Sequence, residues 1–509
     1  MLGMFNGSTR SGHPLADAKE AKRVLEALPA GDPLHSIEEL THWLDSVRGE
    51  ASFKPEARAQ LVQMLDEAGQ APARKLAREY LAATRLGKTQ EAKLWTAIHA
   101  FWKQAGLGYA TCIDAYATGV KGGDALKRLL PLLGVRTMRA IAAQVRWLQL
   151  RYGPIEPALW TMLSRIYALL ESRKLARTSV AVYPGVAAES TGELEFLRAV
   201  MFSACSPDNL LPPEIEIAER AIALWSPSFA LTTQHQPDTP YWIDLAQAAP
   251  PTRMARPPQP APTVRFFGAG RASTEIEAMI QQIRKTREVP STLALGGACT
   301  PEEVLGVLEH IEQCWAPKLS ERRHARHRVK SRLTIAWGFD GILEVLRPDA
   351  AAIDATRFES WIVENVSVGG FGALVPQVRG DWLRIGCLIA MQPEGGDNWL
   401  IGVVRRLSRP SLEQAAVGIQ TLARTAVPIE LRVQVGGRTG NDTETAILLD
   451  PNQLGGEVQI LLRPGAHAPG ESFLLDFKGL STMLLPVGVA ERRHDYELVR
   501  CRHLIRDAA

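Results

Sequence analysis

Apolar residues recur along this chain with two different periods. Up to about residue 248 they return every three or four positions, the spacing of amphipathic helices. Leu15, Val24, Leu25 and Leu28 begin the series, and Leu40, Trp43, Leu44 and Val47 continue it after Ser36-Ile37-Glu38-Glu39, a sequence that reads as a capping box. Pro55 suits a first helical turn ahead of Leu61, Val62, Met64 and Leu65. Leu94, Trp95, Ile98, Phe101 and Trp102 form another apolar face, and 129–133, 141–150, 159–170 and 214–225 repeat the pattern. The prediction is a set of antiparallel helices over 15–248, following a loose tail at 1–14. No 34-residue self-similarity is convincing, so a helical-repeat array has no positive support. The aromatic stripe reads as core rather than as a partner groove.

The pattern changes at 249. Pro250, Pro251, Pro257, Pro258, Pro260 and Pro262 crowd a short stretch that predicts a semi-rigid spacer. Two short helices should follow within 249–320. One begins near Ser273; the other is capped by Thr300, with Pro301 in its first turn and Glu303 closing a capping box. From Ser331 onward short apolar or alternating runs predict strands: 331–337, 342–346, 361–363, 372–376, 383–389, 399–407 and 416–420. A second series at 429–435, 445–449, 458–462, 473–477, 483–489 and 496–501 follows. The fold class is therefore multidomain α+β. It comprises an all-α region, a small antiparallel barrel over 321–425 and a further β-rich domain over 426–509.

Composition narrows the function classes. The 509 residues are 46% hydrophobic and 22% charged with a net charge of +3, so the whole molecule is no polyanion binder and its basicity is local. No apolar run reaches the ~18 residues of a membrane span, and the N-terminal segment lacks the apolar centre of a signal peptide, which predicts a cytoplasmic protein. Cys112, Cys205, Cys299, Cys314, Cys387 and Cys501 are scattered without zinc-ligand spacing and read as buried free thiols.

Candidate chemistry concentrates in two motifs. Seven Lys/Arg lie between Lys318 and Arg332, including Arg322-Arg323-His324-Ala325-Arg326. Arginine offers a planar, permanently charged fork that grips phosphate or a guanine edge with two parallel bonds. Taken alone, the run equally suits a solvated basic linker. About forty residues later comes Asn365-Val366-Ser367-Val368-Gly369-Gly370, directly after the strand-like Trp361-Ile362-Val363. Period-two alternation points Asn365 and Ser367 to one face, where an amide and a hydroxyl can read a base edge. Gly369, Gly370 and Gly372 leave backbone bare for a flat base.

Arg-x-x-x-Arg followed by (Asp/Asn)-x-Ser-x-x-Gly, with strands after it, resembles the PilZ family of cyclic di-GMP receptors over about 321–425. The resemblance implies a barrel entered by a basic arm, with Arg322, Arg326, Asn365, Ser367 and Gly370 at the ligand and Arg323 as a third arginine; Gly369 lies on the same turn. It implies weaker binding where Asn365 replaces the commoner Asp. It also implies a signalling role with outputs such as motility, pili or biofilm, and a protein partner engaged through the helical region. The last β domain could be a second PilZ-like barrel; it contains Glu491-Arg492-Arg493-His494 but no following Ser-x-x-Gly, and so is given no nucleotide site.

Other motifs are discounted. Glu394-Gly395-Gly396-Asp397 reads as a turn between strands. No His-Glu-x-x-His, phosphate-cradling loop or nucleophile elbow is present, so neither catalysis, a metal nor a cofactor is expected. The expectation is a cyclic di-GMP receptor that is not an enzyme. The alternatives are a PilZ-type scaffold that binds proteins only, and nucleic-acid binding through 318–332, which predicts a steep loss of affinity with salt.

Overall fold

The computed structural model describes residues 13–29, 31–82, 87–186, 188–297, 299–318, 325–347, 358–411, 413–435, 438–451, 456–468, 470–477 and 480–505. They fall into two compact units: an N-terminal one of residues 1–151 and 155–320, and a C-terminal one of 321–509 with 152–154.

The N-terminal unit carries helices α1 (Ala18–Glu26), α2 (Pro33–Gly49), α3 (Pro55–Ala82), α4 (Lys88–Ala117), α5 (Leu130–Gln149), α6 (Pro157–Ser172), α7 (Gly192–Ala204), α8 (Pro212–Trp225), α9 (Ala272–Thr286) and α10 (Pro301–Trp315). Local chemistry sets their starts. Thr300 and Glu303 form the expected reciprocal box at α10, with backbone-to-side-chain bonds of 3.2 and 2.7 Å. At α2 the cap differs from expectation. Asp32 accepts the Leu34 and His35 N–H groups, while Ser36 lies inside the helix and donates to the Asp32 carbonyl. Pro33 explains this: it has no N–H to satisfy and fixes the first turn four residues earlier than the Ser-x-x-Glu reading places it. The main apolar core runs through the helices, from Leu40 and Phe101 to Trp147, Trp160, Ile280 and Trp315. Within it lies a buried polar cluster. Tyr109 donates to Asp66 at 2.7 Å and accepts from Arg136 at 3.0 Å, and Arg136 also pairs with Glu67 at 2.6 Å.

Two departures from the sequence reading occur here. The region is not wholly helical. Strands β1 (Val180–Ala181) and β2 (Glu189–Ser190) form a small ladder, and β3 (Ala230–Thr232), β4 (Tyr241–Asp244), β5 (Thr252–Arg253) and β6 (Val264–Gly268) form a sheet in the order β3-β6-β4-β5. The proline-rich stretch is also no spacer between domains, since β5 lies within it, β6 follows it and both pair with β4. Edge position tolerates the prolines around β5, because an edge strand leaves one side of its backbone unpaired. Arg253 then fixes the stretch by donating to the Cys314 and Ala316 carbonyls at the end of α10. Of the six free cysteines, Cys299 and Cys314 are only half-buried.

The C-terminal unit holds two closed barrels. The first uses β7 (His327–Trp337), α11 (Gly338–Leu346), β8 (Glu359–Ser367), β9 (Gly370–Val375), β10 (Leu388–Pro393), β11 (Leu400–Ser408) and β12 (Ala415–Ala423), closed in the order β10-β11-β12-β9-β8-β7. The second uses β13 (Ala426–Val435), β14 (Arg438–Leu449), β15 (Glu457–Leu462), β16 (Glu471–Phe477), β17 (Leu480–Arg492) and β18 (Glu497–Ile505). Its order, β13-β14-β15-β18-β17-β16, repeats the first connectivity strand for strand. Two predicted strands fail. Residues 342–346 belong to α11, because Gly338 at φ +74° ends β7 and Phe339, Ile342, Leu343 and Leu346 then recur at helical spacing. Residues 383–387 form a turn through Gly386 at φ +82° before β10 starts.

The barrels share a core. Ala336, Leu388, Ala390, Ile401 and Val403 of the first and α11 pack with Ile447, Leu449, Leu461, Tyr496 and Leu498 of the second. Arg405 makes a two-pronged bond to Glu491 across this junction, and Arg384 pairs with Asp495. This packing covers outward positions of β10, the first half of β11 and the end of β7. The start of β7 and the β8–β9 corner, which carry the two motifs, take no part in it.

Candidate functional site

The two motifs meet because β7 and β8 are antiparallel neighbours. His327 stands opposite Val366, and Arg328 opposite Asn365, so Arg326 enters the barrel beside the Asn-x-Ser segment. Both strands are irregular there. Between Arg328 and Ser331 the β7–β8 register shifts, and between Val363 and Asn365 the β8–β9 register shifts. Each shift is the signature of a bulge, which inserts one residue and turns the side chains beyond it to the other face. Trp361 and Val363 point into the barrel and are buried. Without the bulge Asn365 would join them inward. With it, Asn365 and Ser367 stand on the outer face, opposite Gly372 and Gly370.

Glycine matters at both of those positions, for the backbone at one and for a side chain at the other. Gly370 lies at φ +155°, and a Cβ there would sit 1.9 Å from the Ile419 carbonyl oxygen. A Cβ on Gly372 would meet the Asn365 carboxamide at 2.5 Å. The missing side chain is therefore the space into which Asn365 leans.

A groove of about 1030 Å³ runs along this corner, lined among others by Arg326, Arg328, Lys330, Arg332, Asn365 and Glu394. With Glu364 and Glu394 as its two carboxylates, its lining has a formal excess of two positive charges. Glu394 accepts the backbone N–H of Arg332 at 3.3 Å, and the Arg332 guanidinium reaches Ser360 at 3.3 Å. Among the described residues Arg326, Arg328 and Lys330 are exposed, with no carboxylate neutralising them. The Asn365 side-chain oxygen is shielded from solvent and has no hydrogen-bond partner among the described residues. A buried carbonyl without a donor costs about 1–3 kcal/mol, so a water or ligand N–H or O–H at this position would be stabilising.

The expected site residues separate into three groups. Arg326 and Asn365 line one groove. Ser367 is not part of that lining; its hydroxyl donates to the Gly370 carbonyl at 3.3 Å and holds the turn that carries Gly369. The Gly369 carbonyl accepts from Thr421, which ties the turn to β12. Arg322 and Arg323 lie outside the described residues. Arg328 and Glu394 were not expected as site residues. Arg328 was visible only as part of the basic run, and nothing in sequence marks Glu394, which belongs to the predicted turn before β11.

In the second barrel the equivalent surface is filled. Gln459 on β15 stands opposite Arg500 on β18, where the first barrel has Gly372 opposite Gly418.

A family of known proteins matches part of the chain. Its description is "Cyclic-di-GMP receptor FimW, N-terminal domain", and it covers residues 19–237. That is less than half of the chain; it lies in the N-terminal unit apart from 152–154 and stops before either barrel. No curated protein matches the chain. Among the described residues no helix is long and apolar enough to cross a membrane, and no cluster of His, Cys, Asp and Glu could hold a metal ion.

Proposed function

We propose that this chain is a cyclic di-GMP receptor whose first barrel, of PilZ type, binds the dinucleotide on its outer β7–β8–β9 surface. The observation that carries the reading is the convergence of Arg326 and Asn365, from motifs forty residues apart, on one groove. The charge excess of that groove suits a ligand with two phosphodiester anions. The Asn365 acceptor without a partner suits the N–H groups of a guanine. The family match on the helical part is independent support, since it concerns residues that share nothing with the motifs.

In this reading Arg326, with Arg322 and Arg323 assigned from sequence alone, grips phosphate and base. Asn365 takes guanine donors, and Ser367, Gly369 and Gly370 shape the turn beneath. The protein performs no catalysis, acts in the cytoplasm and passes the ligand signal to a protein partner through its helical unit.

Isothermal titration of the full chain with cyclic di-GMP, GTP and cyclic di-AMP tests this. Selective binding of cyclic di-GMP is expected, weakened at least about thirtyfold in Arg326→Ala, since a lost charge-assisted bond costs about 2 kcal/mol or more. Absence of binding by the wild-type chain refutes the receptor reading and leaves a protein-binding scaffold. Unchanged affinity in Arg326→Ala refutes the role of the arm.

A further inference from the structure

The groove contains a carboxylate to which the receptor reading gives no task. A carboxylate beside the two phosphodiester anions of the ligand lowers affinity unless it makes a bond of its own. Glu394 is placed there by the turn that ends β10. The Gly396 N–H donates to the Pro393 carbonyl at 2.9 Å, and Gly395 supplies a φ of +77° at the third position of the turn. The Glu394 N–H still reaches the Arg332 carbonyl on β7 at 3.0 Å. The return bond, from the Arg332 N–H, goes to the Glu394 side chain at Oε2, 3.3 Å away. A carboxylate thus stands where a ladder carbonyl would be, and it lines the groove. Its two oxygens offer about four acceptor positions. Among the described residues it makes no other hydrogen bond, and Glu394 is exposed.

Acceptors therefore stand on both sides of the cations. Asn365, on β8, is turned toward Gly372 on β9. Glu394 stands at the opposite edge of β7, the edge that pairs with β10. β7 lies between the two and brings Arg328, Lys330 and Arg332 to the same groove. A cyclic dinucleotide has the same order: base, phosphates, base. The two acceptors differ in what they can take. Asn365 offers one carbonyl oxygen, whereas a carboxylate offers two in parallel. Guanine carries two adjacent donors, N1–H and N2–H, on its Watson–Crick edge, which match such a pair. Adenine has an unprotonated N1 there and would meet the carboxylate lone pair against lone pair.

Resting on the receptor reading above, we propose that Glu394 is a specificity-determining residue: its carboxylate accepts N1–H and N2–H of the guanine that Asn365 does not hold, and selects against adenine.

The test compares cyclic di-GMP with cyclic di-AMP by isothermal titration of the full-length wild type, Glu394→Gln, Glu394→Ala and Arg326→Ala, with melting curves to establish that each is folded. Glu394→Gln keeps an acceptor for the Arg332 N–H and loses the paired oxygens and the charge. It should lower affinity for cyclic di-GMP at least about tenfold, while that for cyclic di-AMP stays level or rises, because a negative charge has left the groove. Glu394→Ala should do the same. Equal tightening of both ligands in Glu394→Gln would overturn the proposal, since it makes Glu394 a repulsive charge only. Equal weakening of both would overturn it too, since it makes Glu394 a support for the turn. Wild-type behaviour of both Glu394 variants alongside weakened Arg326→Ala overturns this proposal alone. A wild-type chain that binds neither dinucleotide overturns the receptor reading and this proposal together.

Discussion

Replacing Glu491 by Gln should loosen the junction between the two barrels. Glu491 receives both terminal nitrogens of Arg405 at 2.5 and 2.6 Å and Nε of Arg493 at 2.6 Å. Its side chain is 14% exposed and that of Arg405 31%. Burial by itself pushes the carboxyl up, yet the hydrogen bonds and charges of the two arginines outweigh it and hold the group down at about 2, against an ordinary 4.5. At about 1.4 kcal/mol per pH unit that difference corresponds to about 3 kcal/mol of stability. Solvent screening at the partly exposed Arg405 reduces the expected loss to about 2 kcal/mol in the Gln variant. Hydrogen exchange on the full chain at pH 7 reads this directly. Amides of β11 and β17 should exchange about thirtyfold faster in the variant, while the N-terminal helices serve as an internal control. The pH dependence has a fixed sign. The folded-state value lies below the unfolded one, so the contribution is complete above about 4.5 and fades as pH falls toward about 2. Urea midpoints of wild type and variant should therefore converge across that window. Equal exchange at pH 7, or a gap that stays constant down to pH 2, would refute the argument.

Gly372→Ala should weaken cyclic di-GMP binding about tenfold or more while the barrel stays folded, because the new methyl displaces the Asn365 carboxamide rather than backbone; titration and a melting curve together check this. Gly370→Ala should instead cost folding, by about 3 kcal/mol or more, since its Cβ would meet the Ile419 carbonyl on β12; a markedly lowered melting temperature is the expected reading. In the N-terminal unit Tyr109→Phe should cost about 2 kcal/mol, because it removes one donor from the buried Asp66 carboxyl, which keeps Gln70, and the acceptor of one Arg136 nitrogen; hydrogen exchange in α3 and α5 should rise while dinucleotide affinity is unchanged.

Sequence by itself determined much of this protein. The helical period, the capping box at Thr300, the strand series and the pair of motifs are local properties, written in neighbouring residues and readable from their spacing. Even the second barrel was visible as a run of strands. Its strand-for-strand repetition of the first was not, because strand order is a relation between segments far apart in the chain. The same distinction explains the failures. The Pro-rich stretch reads as a spacer on composition, and only pairing with β4 and the bonds of Arg253 to α10 bring it into the N-terminal unit. Residues 342–346 alternate well enough to suggest a strand, and the turn at Gly338 together with the shared core of the two barrels makes them a helix.

At the site, sequence supplied the residue types and tertiary structure supplied their directions. Period two from Trp361 would send Asn365 into the barrel; a single extra residue at the bulge sends it out, and side-chain direction in a strand is only as good as the register. Gly418 and Arg406 lie in strand segments that resemble the corresponding PilZ strands, yet nothing in those segments makes them neighbours. Gly418 stands between Gly372 and Arg406 because β12 lies between β9 and β11, an adjacency set by barrel closure, which no run of neighbouring residues encodes.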